Sequence, residues 1–599
     1  VRQPEVHDSA WGPRPDPSGG WRFRLWAPDI PAVSVRLDSD EVSMRRLEAG
    51  WHDAVVPHAR TGSIYEFVLP DGRCVPDPAA RSQQGDVHGP SLIVDPAAYE
   101  WRNAAWNGRP WHEAVIYELH VGAFTAEGTF RAAIERLEHV ARLGVTAIEL
   151  MPIGQFSGRR GWGYDGVLPY APHNAYGTPD DLKALVDAAH DHRLMVVLDV
   201  VYNHFGPDGN YLPSYAPQFF DRDRKTPWGA GIDYARTPVR SYFIDNALYW
   251  LDEFRFDGLR LDAVDQIRDA SEPEFLVELA ERVRDAFPDR HIHLCTEDNR
   301  NVTHLHERHD GRAIHYTAEW NDDFHNAAHV LLTGEQEGYY ADFRGDAAKK
   351  LARCLAEGFA FQGEDTIEGE KRGWPSAHLP PTAFVAFLQN HDQIGNRALG
   401  ERLSVLADGR RLEAMSAMLL LTPHIPLLFM GEEWGEERPF LFFTDYSGDL
   451  AKAVRDGRRE EFSRFSGFNA EVPDPNAAAT FDRSRIDWSM AATSAGAASM
   501  ERLRTLLTTR REHVVPLLAN ASGGSGRVVA MQGRAFAVDW RFPDAVLQMR
   551  CNFGEQACRL PPIEGKVLHG QATPGGEFAS WTVTVGIRHE PGEAAMRGR

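Results

Sequence analysis

Eight short apolar runs recur between residues 115 and 433, and the stretches between them carry helical periodicity; that alternation constrains the fold more than any other feature of the chain. The runs are VIYELHVG (115–122), VTAIELMP (145–152), MVVLDVV (195–201), FDGLRLDAV (256–264), IHLCTED (292–298), AIHYTAEW (313–320), TAFVAFLQNH (382–391) and IPLLFMGEE (425–433). Between them, FRAAIERLEHVARLG sets Phe130, Ile134, Leu137 and Ala141 on one helical face. TPDDLKALVDAAHDH does the same with Leu182, Leu185, Val186 and Ala189, and Thr178 is placed to cap it. Residues 239–254 and 272–287 read as two further helices. Such alternation predicts an α/β fold, a parallel TIM (β/α)8 barrel. A doubly wound sheet is the alternative. It should carry a glycine-rich nucleotide turn after its first strand, and HVGAFTAEGTF lacks that spacing.

The flanks read differently. Residues 1–90 hold alternating strands (WRFRLWAP, AVSVRLD, YEFVLPDGR with a turn at Asp71-Gly72) and predict a small N-terminal β-sandwich. Pro76 to Pro90, rich in Asp, Pro, Ser and Gly, reads as a linker. The barrel is assigned to 91–525, and short strands from 526 to 599 predict a C-terminal β domain.

A formal charge of −22 argues against nucleic acid or an anionic membrane as partner, since both need clustered Lys and Arg; a neutral ligand such as a sugar is compatible. Five scattered cysteines give neither a disulfide framework nor zinc spacing. The first twenty residues show no apolar leader core, and a cytoplasmic location is expected.

In a TIM barrel the chemistry sits at the C-terminal ends of the strands. The polar residues expected there are Asp199, Asn203 and His204 from the third strand, Arg260 and Asp262 from the fourth, Glu297 from the fifth, and His391 and Asp392 from the seventh. Several strands thus bring acids to one rim, with an Arg and two His. Acetal hydrolysis needs such a set: one carboxyl to protonate the leaving oxygen and a second to act as nucleophile or base. Arg260 lies two residues before Asp262 on the same side of the strand, which sets a cation beside that carboxylate. Taken singly, each has a plainer reading. Asp262–Arg260 could be a structural ion pair, Glu297 a solvated loop charge, the histidines satisfied structural groups and Tyr164 a packing residue.

DVVYNH (199–204), GLRLDAV (258–264), TEDN (296–299) and QNHD (389–392) resemble the four ordered sequence regions of the α-amylase family of glycoside hydrolases, over roughly residues 110–520. The resemblance implies Asp262 as nucleophile, Glu297 as general acid/base and Asp392 as the residue that grips sugar hydroxyls. It further implies that Arg260, His204 and His391 hold the sugar whose bond breaks, with Tyr164 in GWGYDGV as its stacking platform.

Four longer segments, DVVYNHFGPDGNYL, TEDNRN, AEWNDDFHNAAH and FLQNHDQIGNR, resemble the branch of that family that hydrolyses the α-1,4 bond next to the terminal trehalose of maltooligosyl-trehalose. Many family members carry Lys-His shortly after the nucleophile; Asp265-Gln266 stand there, which implies a different leaving-group pocket. Asp265, Trp320, Asp322 and His325 are the residues expected to line it, with simple rim packing as the alternative for Trp320. Asn203 is a calcium ligand in many members, but no calcium domain is evident, and neither a cofactor nor an essential metal is expected. The competing functions are glycogen branching or debranching within the family, and a non-catalytic glycan-binding protein.

Overall fold

The computed structural model describes residues 9–226, 229–463, 471–571 and 574–590. The outermost ends of the chain, on which part of the reading of both termini rests, lie outside the described residues.

The eight apolar runs all form strands of one closed parallel barrel: Ile116–Leu119, Ala147–Leu150, Met195–Val200, Gly258–Leu261, His293–Thr296, Ala318–Trp320, Phe384–Phe387 and Ile425–Phe429. They neighbour one another in chain order, and the eighth closes on the first with Ile116 opposite Leu427. Each is buried along its whole length, which is why the runs read as continuous rather than alternating. Thr178 caps the helix Pro179–Asp191 with a reciprocal Thr178–Asp181 capping box. The helix expected over 130–144 is two helices, Phe130–Ile134 and Leu137–Leu143. Tight turns at Glu135 and Arg136 separate them, and the Arg136 guanidinium lies 4.3 Å over Trp488.

The N-terminal strands form two antiparallel sheets whose inner faces bury Phe23, Leu25, Val35, Tyr65 and Phe67. The hairpin turn at Asp71-Gly72 is present, with Gly72 at φ 84°. The stretch read as a linker is not a free connector. Asp77 is buried and accepts from Tyr65 Oη at 2.8 Å and Ala79 N at 2.8 Å, while Arg81 stacks on Tyr170 and Tyr249 of the barrel at 4.6 and 4.3 Å. Composition suggested a loop, but buried polar contacts weld it in place. Ser91–Leu92 also pairs with Ile64–Val68, so one of these two sheets runs past residue 90.

At the other end a five-stranded antiparallel sheet runs from Gly526–Gln532 to Thr582–His589, and its buried Trp540 donates to Leu355 O at 2.8 Å. All five cysteines are unbonded. No helix among the described residues is long and apolar enough to cross a membrane.

Candidate active site

Arg260 is the centre of the rim. Its side chain is 1% exposed and forks between three carboxylates. Nη1 lies 2.7 Å from Asp199 Oδ2 and 3.0 Å from Asp262 Oδ1, and Nη2 lies 2.8 Å from Glu297 Oε2. The third, fourth and fifth strands deliver these groups side by side, with Asp199 directly opposite Arg260 in the ladder. Asn203 closes the set: its Nδ2 donates to Asp262 Oδ2 at 2.9 Å and to Asp262 O at 2.7 Å. The other face of Asn203 accepts from His204 Nδ1.

The carboxyls differ in environment. Burial, reinforced by the charges of Asp262, Asp392 and Asp322 and opposed by Arg260, holds Glu297 well above the usual carboxylate range. Glu297 Oε2 also accepts from Ala263 N at 3.0 Å. Asp262 meets a cation on one oxygen and an amide donor on the other. Burial pushes Asp199 up to about 6 against the pull of Arg260, and lowers His204 to about 4.

A second chain of bonds crosses from the first strand. His391 Nδ1 donates to Glu118, and its Nε2 meets Tyr164 Oη at 2.9 Å; Tyr164 Oη donates to Asp199 Oδ2 at 2.5 Å. Burial would depress His391, but the Glu118 carboxylate overrides it and raises the imidazole above its ordinary value. Tyr164 stacks on His391 at 5.2 Å and is half-buried. Asp392 lies in the first turn of the short helix His391–Gly395, which Asn390 caps, and it accepts from Asn396 Nδ2 at 2.7 Å.

Among the residues expected to line a leaving-group pocket, Asp322 lies near enough to raise the Glu297 carboxyl, and Asp265 stands three residues past Asp262. Asp322 accepts from Gln393 at 3.2 Å and is raised to about 7 by burial and the neighbouring Asp392. Asp265 is buried beside the Asp298–Arg300 pair, with its Oδ2 on Gln266 at 2.7 Å and its Oδ1 unpaired. The other two do not offer a surface to a sugar. Trp320 is 3% exposed, because its strand turns the ring into the barrel interior, where the Arg260 guanidinium lies 4.2 Å over it. It supports the arginine instead of stacking on substrate. His325 sits one helical turn beyond Asn321 and faces inward: its Nδ1 donates to Leu388 O at 2.6 Å, its Nε2 meets Tyr340 Oη at 3.3 Å, and burial lowers it to about 3. It braces the loop after the seventh strand.

Glu118 and Glu319 were missed. Their signal was present, since each is a lone carboxyl inside an otherwise apolar strand and a buried charge requires a reason. Among the described residues, no group of three or more His, Cys, Asp or Glu is arranged to hold a metal ion.

An eight-stranded parallel barrel whose rim holds Asp262 and Glu297 on one arginine, with Asp392 near enough to raise the Glu297 carboxyl, is the architecture of a carboxylate-based glycosidase. The α-amylase catalytic domain family matches residues 98–223 and 226–499, and a domain of unknown function (DUF3459) matches 523–586. The chain is 47% identical over 515 residues to malto-oligosyltrehalose trehalohydrolase from Deinococcus radiodurans, covering 85% of this chain and 84% of that protein. It is 37% identical to the protein of the same name from Saccharolobus solfataricus, covering 89% and 92%. A crystal structure described as an α-amylase from Salmonella typhimurium superposes with a TM-score of 0.95 at 52% identity, over 97% of this chain and 99% of that one. Pullulanase from Paenibacillus barengoltzii, at 21% identity and a TM-score of 0.71, over 98% and 95%, shares the fold. The chain belongs to the α-amylase family of glycoside hydrolases and, within it, to the malto-oligosyltrehalose trehalohydrolases.

Proposed function

We propose that the protein hydrolyses the α-1,4-glucosidic bond next to the terminal trehalose of maltooligosyl-trehalose, releasing trehalose with retention at the anomeric carbon. The observation that carries the chemistry is the Arg260 fork, which holds Asp262 on one nitrogen and Glu297 on the other. Two carboxyls on one guanidinium favour the separation of retaining enzymes, about 5 Å, over the wider gap that leaves room for a water in inverting ones. Glu297, kept protonated by burial and anionic neighbours, gives its proton to the leaving trehalose oxygen. Asp262, with Arg260 and Asn203 spreading its charge, attacks the anomeric carbon. Water, deprotonated by Glu297 in its second role, then frees the glycosyl group. Asp392 binds hydroxyls of the same sugar, Tyr164 stacks beneath it, and His204, Arg260 and His391 fix it.

The trehalose specificity rests on the relatives' names and on Asp322, whose carboxyl neighbours Asp392 and Glu297; Asp265, in the loop after the fourth strand, is assigned to the same pocket. A three-part division into an N-terminal sandwich, a catalytic barrel and a C-terminal sheet, and a cytoplasmic location, belong to the same proposal. Chromatography of products from maltooligosyl-trehalose, with plain maltooligosaccharide of equal length as control, tests the specificity. Trehalose should be released at least about a hundredfold more efficiently than the control is cleaved, the discrimination expected when two buried polar groups go unpaired on the wrong substrate. Equal rates would reduce the protein to a general α-glucanase. Chain transfer or α-1,6 cleavage would mark a branching or debranching enzyme.

A further inference from the structure

Glu319 lies in the sixth strand, 1% exposed, with no route to a substrate. Its two oxygens reach the two residues that flank Glu297. Oε1 accepts from Asp298 N at 2.5 Å, and Oε2 accepts from Thr296 Oγ1. Thr296 stands directly opposite Glu319 in the ladder, and its hydroxyl also meets His306 Nε2 at 2.9 Å. On the other side Glu297 is tied to the fourth strand, through its own N–H to Leu261 O at 3.1 Å and its carbonyl to Val264 N at 2.9 Å.

The fifth strand ends at Thr296, so Glu297 and Asp298 have left the barrel ladder. Past that point Glu297 is held on the fourth-strand side, while the Asp298 N–H is received on the sixth-strand side by the Glu319 carboxyl. Burying a carboxyl at this depth is costly, and packing alone would favour an apolar side chain. A site that must hold a proton donor within about 0.5 Å of its working position gives a reason to keep it.

We infer that Glu319 is a positioning residue for Glu297, clamping the chain on both sides of that carboxyl through Asp298 N–H and the Thr296 hydroxyl. The inference rests on Glu297 being the acid/base. The clamp works through hydrogen bonds rather than charge, so an amide can replace the carboxyl: its oxygen accepts from Asp298 N–H, and its nitrogen donates to Thr296 Oγ1, whose own hydrogen turns to His306.

The test is a double-mutant cycle on the full-length enzyme with maltooligosyl-trehalose. Glu319→Ala should lower kcat about ten- to a hundredfold, the scale of a misplaced catalytic group, and leave KM within about threefold. Glu319→Gln should restore kcat to within about threefold of wild type. In a Glu297→Gln background, Glu319→Ala should cost no more than about twofold, because the group it positions is already disabled. A merely structural residue would lower the melting temperature without that rescue or that non-additivity. Wild-type kcat in Glu319→Ala, a Gln variant no better than Ala, or the full loss repeated in the Glu297→Gln background would each overturn the inference. Near-normal turnover in Glu297→Gln alone would instead overturn the acid/base assignment, and the inference with it. Should Glu319→Ala not fold, Thr296→Val removes one arm of the clamp at nearly constant volume. A loss of about fivefold in kcat that vanishes in the Glu297→Gln background is then expected, and no loss refutes the clamp.

Discussion

Arg260→Lys keeps the charge at the centre of the site and removes its shape. The guanidinium meets Asp199, Asp262 and Glu297 at 2.7, 3.0 and 2.8 Å, with its plane 4.2 Å over Trp320. An ammonium is a point donor on a flexible stem, with no fork and no flat face to lay on an indole. It can hold one or two of the three carboxylates. Each charge-assisted bond lost in a buried setting costs about 1.5–3 kcal/mol. With one or two lost, transition-state stabilisation falls by about 2–5 kcal/mol, or about thirtyfold to a few thousandfold in kcat/KM. Trehalose release measured by chromatography across substrate concentrations gives the ratio, and a thermal melt run beside it shows that the barrel is intact. A folded Lys variant within about fivefold of wild type would mean that the fork does not matter to the reaction, and the account of the site built on it would fail.

Glu297→Gln should cut kcat at least about a hundredfold while binding survives, and near-normal turnover would remove Glu297 from its role. Because burial raises Glu297, its acid form persists above the usual carboxylate range; kcat should fall as pH rises through that raised value, and the limb should vanish from the residual activity of the Gln variant. NMR of fresh product should show the α-anomer first at the new reducing end, and an initial β-anomer would make Asp262 a base. Trp320→Ala should impair cleavage of trehalose-capped and plain chains alike, since the ring supports Arg260, whereas Asp322→Ala should raise KM mainly for the trehalose-capped substrate. Kinetics on both substrates separates the two, and a trehalose-selective loss in the Trp variant would return its ring to the pocket.

Much of this protein was written locally. Barrel strands buried on both faces favour apolar side chains throughout, so most of the eight were legible as runs of Val, Ile, Leu and Phe; the fifth (HLCT) and sixth (AEW) carry fewer of these and were placed by the alternation around them. The cap at Thr178 depends on residues three apart and was equally plain. The acids and the arginine at the strand ends could be named because a parallel barrel fixes which end of each strand carries chemistry. What the chain cannot encode locally is which way a side chain turns once its neighbours are present. Trp320 and His325 share a segment with Asp322, yet the barrel interior takes the indole, the loop after the seventh strand takes the imidazole, and only the aspartate is left at the site. The Asp- and Pro-rich stretch after Pro76 has the composition of a loose connector, and only the approach of Tyr65, Tyr170 and Tyr249 makes it a fixed joint. Glu118 and Glu319 acquire meaning from His391 and from the Thr296–Asp298 backbone, far away in sequence. A hydrogen bond needs its donor within about 3 Å, and tertiary packing alone sets that distance.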